Sequence, residues 1–182
     1  MVLISKGKGE YRGIGLFEVA WKVCAAMVNC RLKRGVVLHD SLHRFRGGRG
    51  TGMAILESKL AKQLAGLAHE PLFQVCLDIR KAYDSLEREQ CLEVLNGYGM
   101  GPNLTHLLKS YWGRQRIAPK TGKFLRKAFR TGRGLTQGDP ASPMIFNIVV
   151  DAVVRAVLDV VCGPQEALHG LGWAAGERNV VF

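Results

Sequence analysis

Along residues 2–16 short β-prone pieces alternate around Gly7, Gly9 and Gly13, a pattern that predicts a strand, a glycine turn and a second strand. From Phe17 to Arg34 the period changes. Trp21, Cys24, Ala25, Val28 and Leu32 recur at helical spacing and Gly35 closes the pattern, predicting one amphipathic helix. The glycine-rich, basic stretch from Gly35 to Gly50 predicts a loop. Thr51 then stands where a cap would open a second helix with the stripe Met53, Leu56, Leu60, Leu64 and Leu67. Leu72 to Leu77 is a nearly continuous apolar run of strand length, with Asp78 at its C-terminal end. Asp84 and Glu87 have the spacing of a capping box for a helix closed by Gly97 and Gly99. Pro102 can open another helix, with Leu104, Leu107, Leu108 and Tyr111 on one side, and two strands are predicted around Thr121-Gly122. Ser142 and Pro143 suit the N-cap and first turn of a last helix. Its stripe is Ile145, Val149, Ala152, Val153, Ala156, Val157 and Val160, and Asp151, Arg155 and Asp159 form an i,i+4 ladder on another face.

No internal repeat and no long linker interrupts this series. The chain has 182 residues, 47% of them hydrophobic, enough for one ordinary domain or two subdomains sharing a core. Charge changes the picture more than size does. The net charge of +11 favours a polyanionic partner, and nucleic acid is the first suspect. The surplus is uneven: residues 1–70 carry 12 basic and 5 acidic side chains, residues 71–140 carry 12 and 6, and residues 141–182 carry 2 and 4. Between Lys109 and Arg133 stand nine basic residues and no acidic one, which is either a solvated face or a surface for a polyanion.

Five cysteines, odd in number and without a CxxC pair, fit a reduced intracellular compartment with no disulfides. His39 and His43 lie four apart, but no cysteine pair accompanies them, so they read as loop or RNA-facing residues. The most apolar stretch, Met144 to Val161, is broken by Asn147, Asp151, Arg155 and Asp159, too polar for a lipid-spanning segment. No apolar stretch follows a basic start, so the chain is expected to be neither membrane-bound nor secreted.

A carboxylate at the tip of a buried strand is costly unless a partner compensates it, and a hard divalent cation is a natural compensator. Asp78 is therefore the first candidate for chemistry. Its surroundings, Phe73-Gln74-Val75-Cys76-Leu77-Asp78-Ile79-Arg80-Lys81-Ala82-Tyr83-Asp84, resemble the first metal-binding motif of reverse transcriptases, especially those of group II introns and non-LTR retroelements. The resemblance implies that Asp78 binds two Mg2+ ions and Ile79 adds a backbone carbonyl. It also implies that Ala82 and Tyr83 lie beside the incoming nucleotide, with the Tyr83 ring blocking a ribose 2′-hydroxyl. Two metals clamp the attacking and leaving oxygens of an in-line phosphoryl transfer, and a ring under the sugar excludes an extra oxygen sterically. Asp84 reads more simply as a helix cap.

Gly132-Arg133-Gly134-Leu135-Thr136-Gln137-Gly138-Asp139-Pro140-Ala141-Ser142-Pro143 resembles the Gly-x-x-Gln-Gly-x-x-x-Ser-Pro motif of the same family, with every named position present. Glycines permit close backbone approach to a base pair, and Gln137 offers an amide donor and acceptor, so Gln137 and Gly138 are expected at the nucleotide. A capping loop alone accounts for Asp139 to Pro143 but not for the Gln-Gly pair. Leu3 to Ile14 resembles the fingers hairpin whose Lys and Arg hold the triphosphate, roles that fall on Lys6 and Arg12. Gly13 stands where the family usually has proline. Phe45-Arg46-Gly47-Gly48-Arg49-Gly50-Thr51 is similar to the fingers segment that runs along the template. Arg44 replaces its usual glycine, and Arg46 and Arg49 are expected on phosphates.

The four matches fall in family order. They imply an α+β chain, the fingers and partial palm of a right-hand polymerase with helices packed on a small, mainly antiparallel sheet. Residues 1–69 would be fingers and 70–182 palm. Expected partners are an RNA template, a DNA primer and a dNTP, with Mg2+ as cofactor. The family's third motif carries two adjacent aspartates, and no Asp-Asp pair occurs in this sequence; Asn179-Val180-Val181-Phe182 reads as the strand leading towards it. The chain by itself is accordingly expected not to polymerise. The rival readings are a non-catalytic RNA-binding module and a product that does not fold stably.

Overall fold

The computed structural model of the chain describes residues 1–7 and 10–161. Lys8 and Gly9, where a glycine turn is expected, the cysteine at 162 and the strand expected at Asn179–Phe182 lie outside the described residues. The described chain divides into two compact units that interleave along the sequence. Met1–Val37 and Arg80–Phe146 make the first, and Leu38–Ile79 with the chain from Asn147 make the second.

The first unit begins with the expected hairpin, β1 (Val2–Gly7) and β2 (Glu10–Ile14), paired antiparallel from Val2↔Ile14 to Gly7↔Glu10. The two strands expected around Gly122 are β3 (Lys120–Thr121) and β4 (Phe124–Leu125). They extend the hairpin into a four-stranded sheet of order β2-β1-β3-β4, in which only the β1–β3 pair is parallel. Between them in sequence come α1 (Val19–Gly35), the short α3 (Ala82–Ser85), α4 (Arg88–Gly97) and α5 (Pro102–Arg114), the last opened by proline as predicted. The apolar stripe of α1 buries Ala25, Val28 and Leu32, and Leu92, Leu95, Leu108, Leu135 and Ile145 fill the rest of the core.

The second unit holds α2 (Thr51–Leu67) and most of α6 (Ser142–Val161), which starts in the first unit. Among its described apolar residues, Leu38, Ala65, Ile148 and Leu158 are buried. The helices stand where periodicity placed them, and several details differ. Gly50, in extended conformation, takes the cap position of α2, because its carbonyl accepts the first helical bonds from Met53 and Ala54; Thr51 is already inside the helix. The stripe Met53, Leu56, Leu60, Leu64 and Leu67 remains exposed. No capping box joins Asp84 to Glu87. Asp84 belongs to α3, its amide bonded to the Lys81 carbonyl, and Glu87 occupies the cap of α4 with no side-chain bond.

The face of α6 is turned relative to expectation. Ile145, Ile148 and Leu158 are buried, whereas Val153, Val157 and Val160 are exposed. Asp151, expected in an i,i+4 ladder away from the apolar stripe, has 0% exposure. It accepts the His39 amide at 2.5 Å and the Arg155 Nε at 2.7 Å, a charged pair and a backbone donor together offsetting its desolvation. The largest correction concerns Leu72–Leu77. No strand forms there, and Phe73 and Leu77 are 89% and 90% exposed. An apolar strand needs neighbours to pair its amides and cover its faces, and among the described residues none pairs with it.

Candidate nucleotide site

The chemistry-bearing residues of the first unit gather around the segment Gly132–Asp139. The Gly15 amide donates to the Gln137 carbonyl at 2.7 Å, which fastens the loop to the exit of the β1–β2 hairpin. On its other flank the Leu135 amide donates to the Tyr83 carbonyl and the Gly134 amide to the Leu86 carbonyl, both at 2.8 Å. Two glycines make these approaches possible. At Gly138, with φ +98°, a Cβ would stand 2.6 Å from the Gly15 carbonyl oxygen. At Gly134, with φ +84°, it would stand 3.0 Å from both the Cα and the carbonyl oxygen of Asp84. The glycines of the motif therefore serve close contact with the protein's own backbone.

These bonds bring Tyr83, Gln137 and Gly138 onto neighbouring segments. Ala82 precedes Tyr83 as the first residue of α3. The Tyr83 ring is half-buried and stacks on Phe146, with centroids 4.9 Å apart and planes 12° from parallel, so a packed ring fixes its position. The Gln137 side chain is partly exposed and has no hydrogen bond among the described residues. Arg12 lies exposed on β2, in the hairpin that also carries Lys6 on β1.

A buried polar layer supports the loop. Arg88 uses all five of its donors: Nε to the Gly134 carbonyl at 3.0 Å, Nη1 to the Thr131 and Trp112 carbonyls at 2.7 and 3.2 Å, and Nη2 to Gln115 Oε1 and Thr131 Oγ1 at 3.0 and 2.8 Å. Burial lowers its pKa below the usual arginine range. Gln115 passes the network on to Thr136 and the Tyr111 hydroxyl. Asp139 is buried and accepts the Ala141 amide on Oδ1 at 2.9 Å and the Trp21 indole N–H on Oδ2 at 3.0 Å. Loss of solvation nevertheless raises its carboxyl pKa, and burial first, with the Asp139 charge second, raises that of the Tyr111 phenol. Trp21 and Tyr111 stack within 7° of parallel, tying α1 to α5.

Sequence reasoning passed over Arg88 and counted Trp21 only as core. A signal for Arg88 was present: it is a cation in the first turn of a helix, the end where the dipole disfavours positive charge.

The other expected site residues belong to the second unit. Asp78 and Ile79 lie in the exposed, unpaired segment just described, so Asp78 is not the terminus of a buried strand. Arg46 and Arg49 fold their own loop. Arg46 Nη1 donates to the carbonyls of His39 and Leu42 at 2.7 and 3.2 Å, and Arg49 donates to the carboxylate and carbonyl of Asp40. His43 contacts Glu57 at 2.8 Å. For Mg2+ the test is the donor set. A two-metal site needs several carboxylate oxygens, and among the described residues no group of three metal-binding side chains converges. The described residues by themselves thus do not constitute a two-metal centre.

With one loop hydrogen-bonded both to the hairpin's exit and to the aromatic turn, the α+β framework is that of polymerase fingers leading into a palm. The chain belongs to the reverse transcriptase (RNA-dependent DNA polymerase) family, which it matches over residues 4–168. It is similar to the retrovirus-related Pol polyprotein from type-1 retrotransposable element R2 of Nasonia vitripennis, 32% identical over 46% of the chain and 8% of that protein. The Transposon TX1 uncharacterized 149 kDa protein of Xenopus laevis is 25% identical over 95% of the chain and 13% of its own length. The type-2 element R2DM polyprotein of Drosophila melanogaster is 30% identical over 44% of the chain and 8% of its own length. The chain thus spans about a tenth of each relative. No helix among the described residues is long and apolar enough to cross a membrane.

Proposed function

We propose that this chain contributes the nucleotide-selecting part of an RNA-templated DNA polymerase of the R2 or TX1 kind. Its partners are an RNA template, a DNA primer and a dNTP carried with Mg2+. Residues 1–69 serve as fingers and 70–182 as palm. Tyr83 excludes the ribose 2′-hydroxyl, Gln137 and Gly138 face the nucleotide beside Ala82, and Lys6 and Arg12 hold the triphosphate. Asp78, with the Ile79 carbonyl, is one ligand of a metal set whose remaining carboxylates are not among the described residues. Arg46 and Arg49 follow the template.

The observation that carries this reading is the double anchorage of the Gln137 loop, to Gly15 at 2.7 Å and to Tyr83 through Leu135 at 2.8 Å. An aromatic gate works only where its ring cannot retreat, and Phe146 backs this one. The test is primer extension on an RNA template by the whole protein that contains this chain. Tyr83→Ala is expected to raise ribonucleotide incorporation tenfold or more while deoxynucleotide incorporation persists, and Asp78→Asn to abolish both. Unchanged sugar discrimination in the Tyr83 variant rejects the assignment. The alternative, a non-catalytic RNA-binding module, is favoured by the lack of any converging group of three metal-binding side chains among the described residues; it requires RNA binding that survives Asp78→Asn and no extension by the whole protein.

A further inference from the structure

The hairpin β3–β4 and its flanks form a surface that the nucleotide site does not use. Lys120, Lys123, Arg126, Lys127 and Arg130 are all exposed, and none pairs with a carboxylate among the described residues. No acidic residue occurs between Lys109 and Arg133, so no compensating charge lies in the segment itself. Apolar rings stand among these cations: Phe124 is 74% exposed and Phe129 47%, with Leu125 beside them at 73%.

Each feature alone has a plainer explanation. Lysines on a sheet's edge strand deter edge-to-edge pairing, and β4 is an edge. An edge defended in that way does not also display phenylalanine and leucine, which invite association. Cations that track phosphates, interleaved with rings on which bases can stack, are what a sequence-tolerant surface for an unpaired polynucleotide requires. A duplex has no free base faces to offer those rings.

We propose that the β3–β4 hairpin is a docking surface for single-stranded RNA. The choice of RNA rests on the proposed function, because in RNA-templated synthesis the incoming template is the unpaired strand and the product is a duplex. Placement fits this role. The hairpin is in the same sheet as β1 and β2, and with strands about 5 Å apart β4 stands roughly 15 Å from the strand of Arg12. A template lying across β3–β4 therefore arrives within a few nucleotides of the hairpin proposed to hold the triphosphate.

Fluorescence anisotropy with a labelled, unstructured RNA of about twenty nucleotides tests the proposal, using the chain without nucleotide, primer or Mg2+. The fourfold variant Lys120→Ala, Lys123→Ala, Arg126→Ala, Lys127→Ala is expected to bind at least tenfold more weakly. Its log-log salt slope should be shallower by about 3, from roughly 0.7 per phosphate contact on a single strand. Phe124→Ala should weaken binding about five- to a hundredfold while leaving the salt slope unchanged, as loss of one stacking platform does. All four basic side chains and Phe124 are exposed, so circular dichroism of the variants should match that of the parent. Unchanged affinity in either variant overturns the proposal. So does a blunt RNA duplex that binds as tightly as the single strand, or a preference for single-stranded DNA of the same sequence. Loss of sugar discrimination bears on Tyr83 alone, and this assay on the hairpin alone, so failure of one is distinguishable from failure of the other.

Discussion

Replacing Gly138 with alanine tests whether the Gln137 loop is held by backbone contact or merely drapes over the surface. Two costs combine. At φ +98° an L residue is strained by roughly 1 to 2 kcal/mol. The added Cβ would also meet the Gly15 carbonyl oxygen at 2.6 Å and Ile14 Cγ2 at 3.3 Å, and relieving such overpacking typically costs about 1 to 3 kcal/mol. The obstructing atom is backbone, so the loop and the hairpin must part, at the expense of the Gly15 to Gln137 hydrogen bond. A total of about 2 to 5 kcal/mol follows, or roughly 10 °C in Tm for a chain of this size. Thermal unfolding followed by circular dichroism measures it. Gly132→Ala is the control, since its Cβ would meet nothing within 4 Å and it lacks a positive φ. A Gly138→Ala protein that melts within a degree or two of the parent refutes the reasoning.

Arg88→Met should destabilise the chain by about 3 kcal/mol or more in urea titrations, because two buried carbonyls and a part-buried one lose their donor, and Arg88→Lys should recover only part of this for want of the planar fork; full recovery by lysine contradicts the network. Asp139 holds its proton more tightly folded than unfolded, so its ionisation opposes folding: the penalty is absent below its ordinary pKa of 3.8, grows as pH rises above that and is complete above the raised value. Asp139→Asn should remove this fall in stability with rising pH, and urea midpoints across the acid range that run parallel in the two proteins contradict it. Burial pushes the Cys91 thiol up to about 11, whereas Cys30 and Cys76 are exposed. Alkylation with mass-spectrometric readout near pH ~8 should label Cys30 and Cys76 in the native chain and Cys91 only after unfolding.

What the sequence made legible was local. Helical periodicity placed α1, α4, α5 and α6, the glycine turn placed the first hairpin, and the Gln-Gly motif marked the loop that organises the first unit. What it concealed depends on partners far along the chain. Arg88 is explained by acceptors 24 to 46 residues away, and the burial of Asp151 by an amide 112 residues away. Leu72–Leu77 has the composition of a strand, yet composition supplies no neighbour to pair with. The motif presents the glycines at 134 and 138 as openings towards a base pair, whereas a Cβ at either would meet the backbone of Asp84 or Gly15, a distinction that only packing can draw.

The interleaving of the two units bears on how the chain is made. Gly15 meets Gln137, and Trp21 meets Asp139, across gaps of more than a hundred residues. A nascent polypeptide emerging from the ribosome therefore cannot close its first unit when the opening hairpin and α1 appear. It must wait, with Trp21 unsatisfied, until synthesis has passed Phe146, and contacts so distant in sequence form slowly. Late closure of the first unit, with its core open for most of synthesis, is the consequence of that topology.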